Sequence, residues 1–216
     1  MSVFNAMIYM HMLLFGFWIG ADVAVLYISH FVTDPKLPPM TRALFGRIMF
    51  KLDTLPIICM TLMLPVGLTL AENMGLSPIR HGWLFGVWVI GLIWLASLLY
   101  LTHARSGAAW LRTADRVFRV TLVVALTIAA IVSLVINEPF PQRWLAVKVL
   151  LFAIIVAASL GIDVSVRPFG SAMERLIAEG PEPELEQVVS RTIRRAYPFV
   201  YVMYAAILCA AAVAVF

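Results

Sequence analysis

Charge is scarce in this chain: 13% of its 216 residues are Asp, Glu, Lys or Arg, against 62% that are apolar. A soluble domain carries about 25% charged and about 45–50% apolar residues. An ordinary soluble enzyme, a disordered tail and a nucleic-acid-binding domain are therefore excluded. Cysteine is scarcer still. Cys59 and Cys209 stand alone in apolar runs, which leaves no disulfide framework and no zinc-ligand spacing. No basic residue precedes the first apolar run, which opens Met-Ser-Val-Phe-Asn, and that run is too long for the core of a cleavable signal peptide.

What the chain has in quantity is apolar sequence long enough to cross a bilayer, which takes about 20 residues per helix. Six segments qualify: 4–30, 54–72, 83–103, 117–136, 144–165 and 197–216. The expected fold is all-α, a polytopic bundle of six transmembrane helices forming a single membrane domain over 1–216. Pro56 and Pro65 fall in the second span, where neighbouring helices can cover the carbonyls a proline frees.

The basic residues set the expected orientation. Lys36, Arg42, Arg47 and Lys51 follow span one; Arg105, Arg112, Arg116 and Arg119 follow span three; Arg167, Arg175, Arg191, Arg194 and Arg195 follow span five. Only Arg80, Arg143 and Lys148 fall on the opposite side. Basic loops stay cytoplasmic, so both termini are expected in the periplasm of a bacterial inner membrane. The net charge of +4 then marks topology and contact with anionic lipid, with no nucleic-acid partner.

Two polar stretches, 34–52 and 168–195, read as cytoplasmic amphipathic segments. The second contains a Gly180-Pro181 break, after which Glu182, Glu184 and Glu186 open a helix that Arg191, Arg194 and Arg195 close. Acid first and base last suits the helix dipole. An internal echo also stands out. Gly20-Ala-Asp22-Val-Ala-Val25 resembles Gly161-Ile-Asp163-Val-Ser-Val166, and both would lie in the cytoplasmic half.

Ionisable groups in hydrocarbon are costly unless paired or facing a cavity, so each is a functional candidate. Span one concentrates them. His11, Phe15, Trp18 and Asp22 recur in steps of four, three and four, which keeps them on one helical face. His11 then lies roughly 16 Å from Asp22 along the axis. Gly16 and Gly20 flank this stripe at small-xxx-small spacing, which admits a helix or a flat cofactor. His11 reads either as a bundle hydrogen-bonder or as a ligand to haem or copper, since neutral imidazole suits both. Asp22 reads as an ion-pair or hydrogen-bond partner, with Thr61 and Ser97 as candidate mates, or as a proton or cation site. His81 falls at the outer interface; His30 and His103 fall at the inner one. Lys148 is either a snorkelling side chain or a counter-ion for a carboxylate or haem propionate. Asp163 has Arg167 available four residues on.

The stretch His11-Met-Leu-Leu-Phe-Gly-Phe-Trp-Ile-Gly-Ala-Asp22 resembles the first helix of the bacterial copper-resistance-D and HemJ-type membrane protein superfamily. Trp144-Leu-Ala-Val-Lys148 is similar to a helix opening of the copper-resistance-D branch. The resemblance spans about a third of the chain. It implies His11 as a haem b ligand in the HemJ branch, or copper movement across the inner membrane in the other. The chain departs from the HemJ pattern at Trp83-Leu-Phe-Gly-Val87, where a histidine and a lysine are expected.

The leading expectation is thus an inner-membrane b-type haem protein serving electron transfer or haem-linked redox chemistry. His11 and His81 would ligate the metal, Trp18 would wall the cofactor and Lys148 would meet a propionate. The alternatives are a copper permease lined by His11, methionines and Asp22, and a non-catalytic accessory subunit of a larger membrane complex. Whether the chain is an enzyme stays open, and its partners are lipid and a redox partner or larger complex.

Overall fold

The computed structural model describes residues 3–77, 79, 81–103, 108–180 and 182–213, with the side chains of His81 and His103 outside the described set. The regular structure there is entirely helical: α1 Val3–Val32, α2 Pro39–Leu52, α3 Thr54–Asn73, α4 His81–His103, α5 Ala109–Ile136, α6 Arg143–Val166, α7 Phe169–Glu179, α8 Pro183–Arg194 and α9 Tyr197–Ala212. Six apolar stretches are long enough to cross a membrane, built on α1, α3, α4, α5, α6 and α9.

Span ends differ from the hydropathy reading where helices outrun their apolar stretch. α5 starts at Ala109, eight residues before the expected 117. Its first turns carry Arg112, Asp115, Arg116 and Arg119 on a helix that simply continues into the span. The 168–195 stretch divides at Gly180, whose φ of +92° favours glycine. α8 restarts with Pro183 in its first turn, where a missing N–H costs nothing.

α1 packs on α3, α3 on α4, α4 on α5, α5 on α6, and α6 on α9. Tyr197 brings α9 to α1, since its hydroxyl lies 3.1 Å from Ser29 Oγ and its ring stacks on His30. Leu14 and Trp18 of α1 share one core with Cys59 and Val66 of α3, Trp94 of α4, Ile155 of α6 and Met203 of α9. A second core holds the amphipathic helices together at one end, with Val32, Met49, Phe169, Leu176 and Val189 buried in it. That end is the one the basic loops mark.

Pro65 lies inside α3, and Gly91 of α4 packs against it: a Cβ there would sit 3.4 Å from the proline ring. Thr69 Oγ1 donates to the Pro65 carbonyl at 2.7 Å and accepts from Trp88 Nε1 at 3.0 Å. α4 thus packs directly against the proline-containing turn of α3.

The α6–α9 contact is closer still. A Cβ built on Gly161 would lie 2.4 Å from Phe199 Cδ1 and 2.7 Å from Cγ. Gly161→Ala therefore has to turn the ring out of its seat, and overpacking of this kind costs about 1–3 kcal/mol. Thermal unfolding in detergent should show the loss, and adding Phe199→Leu should recover part of it. An unchanged midpoint for Gly161→Ala would contradict this packing.

Candidate functional site

The face of α1 proposed from sequence does turn inward at its lower half. Trp18 is 2% exposed and Asp22 4%. Gly16 and Gly20 lie elsewhere: both are exposed, and no atom would meet a Cβ on either within 4 Å. They open away from the bundle and do not cradle anything beside His11.

His11 packs against Gly67 of α3, where a Cβ would come 3.6 Å from its Cε1. Its Nδ1 is buried and has no hydrogen-bond partner among the described residues. The charge of Lys148 reaches it from α6, and the Lys148 ammonium itself sits 5.6 Å over the Trp144 ring. Lys148 is thus within electrostatic reach of His11 and is partly held by cation–π attraction to Trp144. His81 opens α4, but its side chain lies outside the described residues. His30 is exposed in the last turn of α1 and binds the Leu26 carbonyl through Nδ1 at 2.9 Å.

The larger feature lies at the end that the basic loops mark. A cavity of about 450 Å³ is lined by α1 to α6, α8 and α9 and by the turns joining α2 to α3 and α8 to α9. Most of its wall is aliphatic or aromatic. Its polar groups are four aspartates (22, 53, 115 and 163), four arginines (112, 116, 119 and 167), Ser29, Thr102 and the tyrosines 197 and 204.

Arg119 organises one wall. Its Nε and Nη2 bind Asp115 Oδ2 at 2.9 and 2.5 Å, its Nη2 also pairs with Asp163, and its Nη1 reaches Ser159 Oγ at 3.3 Å. Trp94 Nε1 donates to the other Asp115 oxygen at 3.0 Å. The side chains of Arg119 and Asp115 are nearly enclosed, while that of Asp163 is 47% exposed. Asp163 therefore takes Arg119 from the neighbouring helix as its partner, with Arg167 contributing only a weaker, longer-range attraction.

Asp22 is differently placed. The Trp18 indole lies beside it, yet its Oδ2 is buried with no hydrogen-bond partner among the described residues. The two hydroxyls expected to serve it bind their own helices instead: Thr61 donates to Ile57 and Ser97 to Trp94, both at 2.7 Å. Asp53, from the α2–α3 junction, is within electrostatic reach of both Asp22 and Asp163. The Tyr204 hydroxyl, also buried and unpartnered, is within reach of Asp22 and Asp53. Burying like charges together is unfavourable unless a proton or a positive group joins them.

Asp22 was legible from its membrane depth alone. Arg119, Asp53 and Tyr204 were missed as site residues, although the Asp115–Arg119 spacing was a signal for half of the salt bridge. No group of three or more His, Cys, Asp or Glu side chains among the described residues is placed to hold a metal ion. The chain matches no protein-family model, no curated protein and no solved structure.

Proposed function

We propose that the protein is a permease-class membrane protein that receives a small charged solute in the inner cavity. The observation carrying this reading is the cavity itself. It is a polar-seated space within a six-span bundle, with Asp22 buried in its wall and lacking a hydrogen-bond partner at one oxygen. A purely structural carboxylate at such a position would have a mate. The cavity lies at the end bearing the basic loops. The reading includes a bacterial inner membrane with that end in the cytoplasm and both termini outside.

Thiol labelling tests the cavity and its orientation together. In a Cys59→Ala, Cys209→Ala background, single cysteines replacing Val25 or Val200, which line the cavity, should react with a membrane-impermeant reagent in inside-out vesicles. They should stay unreactive in right-side-out vesicles. Labelling from the outer face alone would invert the orientation, and silence from both faces would overturn the cavity reading.

A second reading rests on His11. Its buried imidazole nitrogen, without a partner among the described residues, could ligate a b-type haem, and Lys148, within electrostatic reach of it, would meet a propionate. Haem, when bound, would supply a one-electron couple; the chain would supply the ligand, the Trp144-held cation and exclusion of water. The purified protein should then show a Soret band that shifts on dithionite reduction, lost in His11→Ala and kept in His30→Ala. A colourless protein overturns this reading. Stoichiometric copper in such a preparation would favour the copper permease over other solutes.

A further inference from the structure

The cavity's charges without an ion-pair partner sit at different depths, which limits what can occupy it. Ser29 of α1 meets Tyr197 of α9, and Gly161 of α6 meets Phe199 two residues further along α9. α6 and α9 run in opposite directions, so Asp163 shares the level of Tyr197. Asp22 lies seven residues beyond Ser29, and Tyr204 seven beyond Tyr197. Both are therefore about 10 Å deeper than the Asp163–Arg119 pair, and their mutual proximity agrees. Arg167 follows the last residue of α6, one turn toward the mouth from Asp163. Arg116 precedes Arg119 by almost one turn, also toward the mouth.

Asp22, the deep carboxylate, lacks a counter-ion: no cation pairs with it, or with Asp53 at the head of α3, among the described residues. The shallow group is basic: Arg116 and Arg167 line the same space and donate no hydrogen bond to a described residue. Between them the wall is apolar at Val25, Leu26 and Val200. A simple cation would have to rest beneath arginines, and a simple anion above two aspartates. A cavity of about 450 Å³ has room for a solute of modest length.

We propose that the cavity binds an extended zwitterion, with a protonated amine seated at Asp22 and Asp53, a carboxylate at Arg116 and Arg167, and methylenes between. This rests on the cavity reading above and specifies its solute. The amine supplies the positive group that the buried carboxylates lack, and the carboxylate accepts paired N–H donors from guanidinium. The methylene chain lies against apolar walls and gains the usual benefit of burial.

The test uses the detergent-purified full chain and the series of straight-chain ω-amino acids from glycine to 8-aminooctanoate, measured by calorimetry. Binding should be strongest among the middle members, and 6-aminohexanoate should also slow thiol labelling of a cysteine at Val200. Asp22→Asn should weaken 6-aminohexanoate at least tenfold, and Arg167→Gln, at the mouth and remote from the core, should do the same. Hexylamine or hexanoate binding as tightly as 6-aminohexanoate overturns the proposal, as does tightest binding by glycine or no binding by any member. Reactive cysteines with no ω-amino acid bound would leave the cavity standing and remove only this solute.

Discussion

Arg119→Met is expected to destabilise the protein by about 3–5 kcal/mol, the cost typical of breaking a buried ion pair from one side. The arginine is the only cation bound to Asp115 among the described residues, and Asp115 is 6% exposed. Without it, Asp115 keeps one hydrogen bond, from Trp94, and its charge has no neutralising partner. Asp163 loses less, because its side chain is 47% exposed to the cavity and water there screens it. The buried Asp115 therefore dominates the loss. Thermal unfolding in detergent should show a large drop in midpoint. Adding Asp115→Asn, which keeps an acceptor for Trp94 without the charge, should restore much of it. An Arg119→Met protein as stable as the parent would show that this network does not hold α5 to α6.

Arg42→Leu should release the amphipathic helices α2 and α8 at the end that the basic loops mark. Arg42 is wholly buried on α2. Its Nε donates to the Val32 carbonyl at 2.8 Å, which ends α1, and its Nη1 reaches both Glu186 oxygens on α8 at 2.7 and 2.6 Å. One side chain thus joins three helices. Leucine fills part of the space but strands the Val32 carbonyl and the Glu186 carboxylate. Glu186 is 21% exposed and can turn to water, so the expected cost is about 3 kcal/mol, the lower end of the range. Limited proteolysis near Gly180 should become faster, while labelling of cavity cysteines should persist. Arg42→Lys should rescue only partly, because an ammonium cannot present the same fork of donors. Cleavage at the parental rate in Arg42→Leu would mean that the apolar contacts of α7 and α8 suffice alone.

The contrast between these two arginines and the rest of the fold shows what a sequence reveals in a membrane chain. Span number follows from run length, because lipid demands about 20 apolar residues whatever the neighbours do. The ends are less legible: α5 begins in a charged turn that hydropathy reads as loop, since nothing in composition distinguishes a solvated helix from a solvated connection. Pairing is less legible still. Arg42 and Arg119 read as topology markers, and their partners Glu186 and Asp163 lie 144 and 44 residues away. The i, i+4 rule offered Arg167 to Asp163 and equally Arg119 to Asp115, and only the helix packing decides between them. The Gly-x-Asp echo is instructive for the same reason. Asp22 and Asp163 do line one cavity, yet Gly20 is open while Gly161 carries a phenyl ring against it. The two copies share chemistry at the aspartate and nothing in their packing.

The closure of the bundle between α1 and α9 sets an order on biosynthesis. α1 leaves the ribosome with Asp22 first, and Tyr204 of α9, which lies within reach of it, follows only after five spans are already in the membrane. Throughout that interval the carboxylate has neither its tyrosine neighbour nor a finished cavity, and its helix is exposed to lipid or to the insertion machinery. A nascent chain arrested before Tyr197 would therefore present a polar mark within the bilayer, of the kind that membrane proteases and chaperones can read as incomplete assembly.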